Sequence, residues 1–167
     1  MSMHPKQLGN IGELKVATDL ASKGYYVFTE LGDICKSDLI VMNEAYVPTK
    51  VQVKCYRTTN GSVAIKSSKS GPNYRFKYQE KHADVYAIYV RDKDVILYIS
   101  ANKLLSMNTL TIRTDLAKNN QTTKINWHED YSDFERALRG HTCDTQTDFA
   151  VGEEMVQTSK PSGGLGN

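Results

Sequence analysis

Asp38-Leu39-Ile40-Val41-Met42-Asn43-Glu44-Ala45-Tyr46-Val47-Pro48-Thr49-Lys50-Val51-Gln52-Val53-Lys54-Cys55-Tyr56 is the stretch that decides the fold. Leu39 to Met42 is an apolar run of strand length, and Thr49 to Tyr56 alternates β-branched with polar residues, as a half-buried strand does. Asn43-Glu44-Ala45-Tyr46 between them reads as a turn. So short a connection predicts an antiparallel pair, which brings Asp38 beside the later part of the second strand, around Lys54. Side chains alternate along a strand, so Val51 and Val53 face one way while Gln52 and Lys54 face the other. Cys55 then points to the buried side as a small core residue.

Upstream, residues 7–23 predict a helix with an apolar stripe of Leu8, Ile11, Leu14, Ala17, Leu20 and Ala21, and Gly24 as its stop. Glu13 lies beside that stripe, where a carboxylate can reach the junction of helix and sheet. Residues 25–28 predict a strand, and 31–36 a loop. Downstream, residues 57–73 are rich in Ser, Thr, Gly and Lys and predict a mobile loop, with a weak helix over 75–81. Asp84 to Val90 is nearly apolar throughout, as a central strand would be. Asp92-Lys93-Asp94 turns into a strand over 95–99, Ser100 caps a short helix over 101–106, and 110–113 is extended. A final amphipathic helix over 131–138 turns Phe134, Ala137 and Leu138 inward. The order predicts an α/β fold, a mixed sheet flanked by helices, in one domain over residues 1–141. Residues 142–167 lose all periodicity and end in Pro161-Ser162-Gly163-Gly164-Leu165-Gly166-Asn167, which predicts a disordered or loosely attached tail.

The 167 residues, 40% hydrophobic and 24% charged, suit one domain with a proper core. No apolar run approaches the roughly 20 residues that span a bilayer, and the N-terminus carries no apolar stretch of a secretory signal. A cytoplasmic protein away from membranes is the expectation. Cys35, Cys55 and Cys143 are widely spaced and form no C-x-x-C pair, which argues against a disulfide framework or a zinc knuckle. The formal charge of +2 hides an asymmetry: Lys50 to Lys81 holds eight basic residues and one acid, whereas Asn126 to the end holds three and eight. A basic middle beside a polar strand face points to a polyanionic partner. Arg57, Lys66, Lys69, Arg75 and Lys77 are the cations placed to clamp phosphates or reach base edges, while Tyr56, Tyr74 and Tyr78 among them read as core. His128 reads as part of a surface turn, and Ser67-Ser68-Lys69-Ser70-Gly71 lacks the spacing of a phosphate-binding loop.

The polar residues around the strand pair have a chemistry in common. Hydrolysing a phosphodiester requires neutralising phosphoryl charge, activating a water and stabilising the leaving oxygen, and one or two Mg2+ ions serve all three needs. Mg2+ takes oxygen ligands and keeps several waters, so few protein groups suffice. Asp38 is the main candidate ligand, Gln52 offers its amide oxygen and Val53 its backbone carbonyl. Glu13 can hold a second ion or act through water. Lys54 is placed to lower the pKa of an attacking water or to stabilise transition-state charge.

Ser37-Asp38, Gln52-Val53-Lys54 and the helix Gly9-Asn10-Ile11-Gly12-Glu13 together resemble the PD-(D/E)xK nuclease superfamily. Ser37-Asp38 stands in the PD position, Gln52-Val53-Lys54 in the (D/E)xK position, and Glu13 where the superfamily's helix supplies an extra acid. The likeness runs from about Gln7 to Leu138 and is closest to the branch of group I intron homing endonucleases; archaeal Holliday-junction resolvases share the helix–strand–strand core. Ser37 replaces the usual proline. Gln52 replaces the usual acid and removes one negative charge from the metal site, a change that the homing branch accepts. The resemblance implies a restriction-endonuclease-like fold and Mg2+-dependent cleavage of double-stranded DNA at a specific site, with Mn2+ able to substitute. It also implies a homodimer or homotetramer. The alternatives are a junction-resolving or repair nuclease with the same chemistry, and a DNA-binding module on a decayed nuclease fold.

Overall fold

The structure, a computed structural model, describes residues 3–30, 34–71, 74–116 and 125–142. Its elements are α1 (Pro5–Ser22), β1 (Tyr26–Thr29), β2 (Leu39–Met42), β3 (Pro48–Tyr56), β4 (Ser62–Lys66), β5 (Ser68–Gly71), β6 (Tyr74–Lys77), β7 (Val85–Val90), β8 (Val95–Ser100), α2 (Ala101–Leu105), β9 (Thr109–Arg113) and α3 (Phe134–Thr142), with 3-10 turns at Glu80–His82 and His128–Tyr131. Five strands form the main sheet in the order β1-β2-β3-β7-β8. Every pairing in it is antiparallel except the parallel pair β3–β7. The hairpin expected from Asp38 to Tyr56 is present, with Leu39 opposite Val51 and Met42 opposite Pro48.

All six side chains of β7 are buried, because the strand is interior to the sheet and covered on both faces. Val85 and Ala87 join Leu39, Val41, Val51 and Val53 under α1 and α3, against Val16, Leu20, Phe134 and Ala137. Tyr86, Ile88 and Val90 join Leu97 and Ile99 on the other face, under a two-stranded ribbon of β4 and β9 that contributes Val63, Ile65, Leu110 and Ile112. Asp84 holds the parallel register: its carboxylate accepts the Lys50 N–H at 2.7 Å, and its own N–H donates to the Lys50 carbonyl at 2.9 Å. Its carbonyl accepts the Ala101 N–H at 2.9 Å, which ties α2 to the same point.

Four expectations change. The buried face of α1 is Gly12, Val16 and Leu20, not the stripe through Ile11 and Leu14, which are 37% and 67% exposed. Gly12 sets this face, since a Cβ there would lie 3.3 Å from Cys55 Cβ and 3.7 Å from Val53 Cγ1. The helix lies close on β3 at the one residue without a side chain. The expected loop over 57–73 holds β4 and β5, and the expected helix over 75–81 holds β6 and a 3-10 turn. β4, Ser62-Val63-Ala64-Ile65-Lys66, has one wet face: Val63 and Ile65 are buried while Ala64 and Lys66 are exposed. Its partner β9 lies more than 40 residues away, Ser62 opposite Arg113, so no local signal marks the pairing. The last helix starts later than expected, at Phe134, behind a 3-10 turn. Of the expected tail only Thr142 is described, inside α3; residues 143–167 lie outside the described set. Among the described residues no helix is long and apolar enough to cross a membrane.

Gly12→Val is expected to destabilise the fold by about 1–3 kcal/mol, since two added methyl groups and a Cβ must fit against β3. Urea unfolding followed by circular dichroism measures it, with Gly9→Val as the control, because a Cβ at Gly9 meets nothing within 4 Å.

Candidate active site

The site forms where β2 ends. The β2–β3 ladder stops at Leu39 opposite Val51, so β3 runs on from Gln52 to Tyr56 with β7 on one side and no further β2 residues on the other. Asp38, one residue before β2, closes the first part of that free edge. Its N–H donates to the Val51 carbonyl at 3.0 Å, and its Oδ2 accepts the Val53 N–H at 2.6 Å. In an extended strand the N–H and C=O of one residue point to the same side. The Val53 carbonyl therefore faces the same free edge as the N–H held by Asp38. Gln52 Nε2 sits between the two oxygens, donating to Asp38 Oδ2 at 2.5 Å and lying 3.5 Å from the Val53 carbonyl.

Around this edge opens a cleft of about 490 Å³ lined by Glu13, Lys36, Asp38, Gln52, Lys54 and Tyr78, with Cys35, Val53, Cys55, Tyr56 and Ser68 completing its wall. Glu13 arrives from α1, one residue after the glycine that seats the helix on β3. The expected alternation on β3 holds, with Val51 and Val53 buried and Gln52 and Lys54 half-buried. Lys54 Nζ donates to the Lys66 carbonyl at 3.4 Å and stands 3.8 Å from the centre of the Tyr78 ring. Lys36 stands over Phe76 at 5.7 Å. Cys55 departs from its expected place: it is half-buried, packs under Gly12 and also reaches the cleft wall, and burial pushes its thiol pKa up.

Glu13, Asp38 and the run Gln52-Val53-Lys54, from three separate parts of the sequence, thus line one cleft. The expected DNA-binding cations are dispersed. Arg57, Lys66 and Lys77 are exposed and outside the cleft lining, and Lys66 reaches the site only through its carbonyl. Lys69 and Arg75 fall on the paired strands β5 and β6, Lys69 opposite Phe76 and Arg75 opposite Ser70. Lys36 is a cleft residue that the sequence reading passed over, and Tyr78 one that it read as core. Lys36 lies two residues before Asp38 on the same loop, and Tyr78 continues the alternation of Phe76 two residues earlier; those were the available signals.

Among the described residues no three His, Cys, Asp or Glu side chains cluster so as to hold a metal by themselves. The donor set here is different: one carboxylate, one backbone carbonyl and one side-chain amide, with Glu13 at the rim. The amide NH2 of Gln52, a donor with partial positive charge, occupies the place between two oxygens where a cation would sit. Turned and drawn back from Asp38, the amide would aim Oε1 at that place, and the set would offer three oxygen donors. Such a set fits a hard divalent cation that keeps several waters.

A family model described as PD-(D/E)XK endonuclease matches residues 3–134. Among solved structures, the bacterial homing endonuclease I-Ssp6803I superposes with a TM-score of 0.67 at 18% sequence identity, covering 85% of this chain and 98% of that one. At that identity the likeness shows the fold. No curated protein sequence matches the chain.

Asp38→Ala removes the acceptor of the N–H of the buried Val53, so it is expected to cost about 1–3 kcal/mol of stability. Asp38→Asn retains an acceptor oxygen and is expected to lose less than half of that. Urea denaturation of both variants without metal checks the difference.

Proposed function

The chain belongs to the PD-(D/E)XK endonuclease family and is a nuclease by that membership; we propose that it hydrolyses double-stranded DNA at a specific site using a divalent metal, with residues 1–141 as the nuclease domain. The observation that carries this reading is the free edge of β3, where Asp38, the Val53 carbonyl and Gln52 meet beside Lys54. Asp38 Oδ2, the Val53 carbonyl and Gln52 Oε1 would hold Mg2+, or Mn2+ in its place, and Glu13 would hold a second ion or order a water. A divalent cation, when bound, neutralises phosphoryl charge and lowers the pKa of a bound water.

The chain's own groups do the rest. Lys54, on the same strand face as Gln52, directs its ammonium at the charge that develops on the attacked phosphate. Lys36, on the opposite wall, neutralises a neighbouring phosphate. Arg57, Lys66, Lys69, Arg75 and Lys77 contact the duplex backbone outside the cleft. That I-Ssp6803I is a homing endonuclease supports site-specific cleavage as the biology of this chain. One Asp38–Gln52–Lys54 set serves one strand, so cutting both strands calls for a homodimer or homotetramer.

The test is cleavage of a pooled duplex library in Mg2+, Mn2+ and EDTA by the wild type, Asp38→Ala and Lys54→Ala. Discrete products that require metal and vanish in both variants are the expected result. Retained, salt-sensitive binding with no product on duplexes or four-way junctions would identify a DNA-binding module instead. Gln52→Glu provides a second test. It replaces the donor 2.5 Å from Asp38 with a second carboxylate, so metal-free stability is expected to fall by about 1.5–3 kcal/mol. The restored charge should tighten Mn2+ binding by on the order of tenfold. Calorimetric melting in EDTA and in Mn2+ reads both effects.

A further inference from the structure

Resting on the nuclease reading of the cleft, we propose that Tyr78 is the positioning residue of Lys54: its ring face holds the ammonium on the cleft side of β3 before DNA arrives. Lys54 Nζ lies 3.8 Å from the Tyr78 ring centre and 5.5 Å from that of Tyr86. Both distances are within the roughly 6 Å over which a ring quadrupole attracts a cation. The Tyr78 ring is itself fixed. Its backbone N–H donates to the Ser67 carbonyl at 3.1 Å, which fastens the residue to the end of the ribbon. Tyr86 meets it edge-on at 5.7 Å and 78°, and Phe76 meets it at 5.4 Å and 90°. Tyr86 rises from the parallel β7 at the position paired with Gln52, so the aromatic bed and the ligand-bearing face share one register. Among the described residues the buried Tyr86 hydroxyl has no hydrogen-bond partner. Its ring, rather than its hydroxyl, is what this position uses.

A lysine at such a site needs help. Its ammonium is a strongly hydrated point charge on a flexible four-carbon stem, with much rotamer freedom to lose. The Lys66 carbonyl at 3.4 Å supplies a direction but at the long end of hydrogen-bond reach. The ring face attracts the ammonium at short range and holds it toward the cleft, where charge develops in the reaction. Tyr78 touches no reacting atom in this arrangement; it acts through Lys54.

The first readout is free of catalysis. In the metal-free wild type, protons on the Lys54 ε-carbon over an aromatic face resonate upfield of those of exposed lysines in a 13C-correlated NMR spectrum, with Lys54→Arg identifying the peak. The shift is expected to vanish in Tyr78→Leu and to persist in Tyr78→Phe, which keeps the ring. In single-turnover cleavage, Tyr78→Leu is expected to lose on the order of 10²-fold in rate, the scale of a misplaced catalytic group, with little change in DNA affinity; Tyr78→Phe restores most of that rate. An unshifted Lys54 in the wild type overturns the proposal, as does a Tyr78→Phe variant as slow as Tyr78→Leu. A shifted lysine in a wild type that cleaves nothing would refute the nuclease reading, and with it the catalytic half of the proposal, while leaving the contact in place.

Discussion

The site depends on one carboxylate oxygen. Asp38 Oδ2 accepts from the Val53 N–H and from the Gln52 amide at once, and so does the work of a strand residue at the point where the strand ends. A longer β2 would have paired Val53 through its backbone and buried its carbonyl in a ladder. A shorter one would have left the free edge of β3 with no side chain to meet it. Ending the ladder at Leu39 and substituting the Asp38 side chain keeps β3 straight while leaving one face of its backbone open to chemistry.

The same strand is served from both faces of the sheet. On one face Gly12 lets α1 settle against Cys55 and Val53, which delivers Glu13 to the rim of the cleft. On the other, the half-buried Gln52 and Lys54 stand beside the end of the ribbon that covers β7, where Tyr78 and Tyr86 form an aromatic bed beneath the lysine. The partly buried network at Asp84 fixes how β3 and β7 slide past each other, so Gln52 stays opposite Tyr86 and Lys54 opposite Ile88. Position in this site comes from packing and register. The charges come from few residues.

Much of this is legible in the sequence, and the limits are physical. The hairpin from Asp38 to Tyr56 and the buried strand at Val85–Val90 announce themselves by strand-length apolar runs and a short turn, so the polar face of β3 can be read by counting in twos. The face of α1 cannot. Its most apolar stripe runs through Leu14, yet the helix packs on Gly12, because close approach to β3 is decided by the absence of a side chain and carries no hydrophobic signal. β4 reads as loop because half its residues face water and its partner lies on β9, across a separation that no local pattern records. Tyr78 reads as core for the same reason: what it touches, the end of the Lys54 side chain, is set by a hairpin that the sequence pattern does not announce. Gln52 is the subtlest case. Its amide makes the site look like an ordinary hydrogen-bonded strand edge, and what sets it apart is its place between the Asp38 carboxylate and the Val53 carbonyl.

The most direct measurement is an anomalous difference map from crystals soaked in Mn2+, collected on the wild type and on Asp38→Ala. A peak in contact with Asp38, the Val53 carbonyl and the Gln52 side chain, absent in the variant, is the predicted result. A wild-type map with no peak at the free edge of β3 under saturating Mn2+, or with the metal held by other residues, would contradict it.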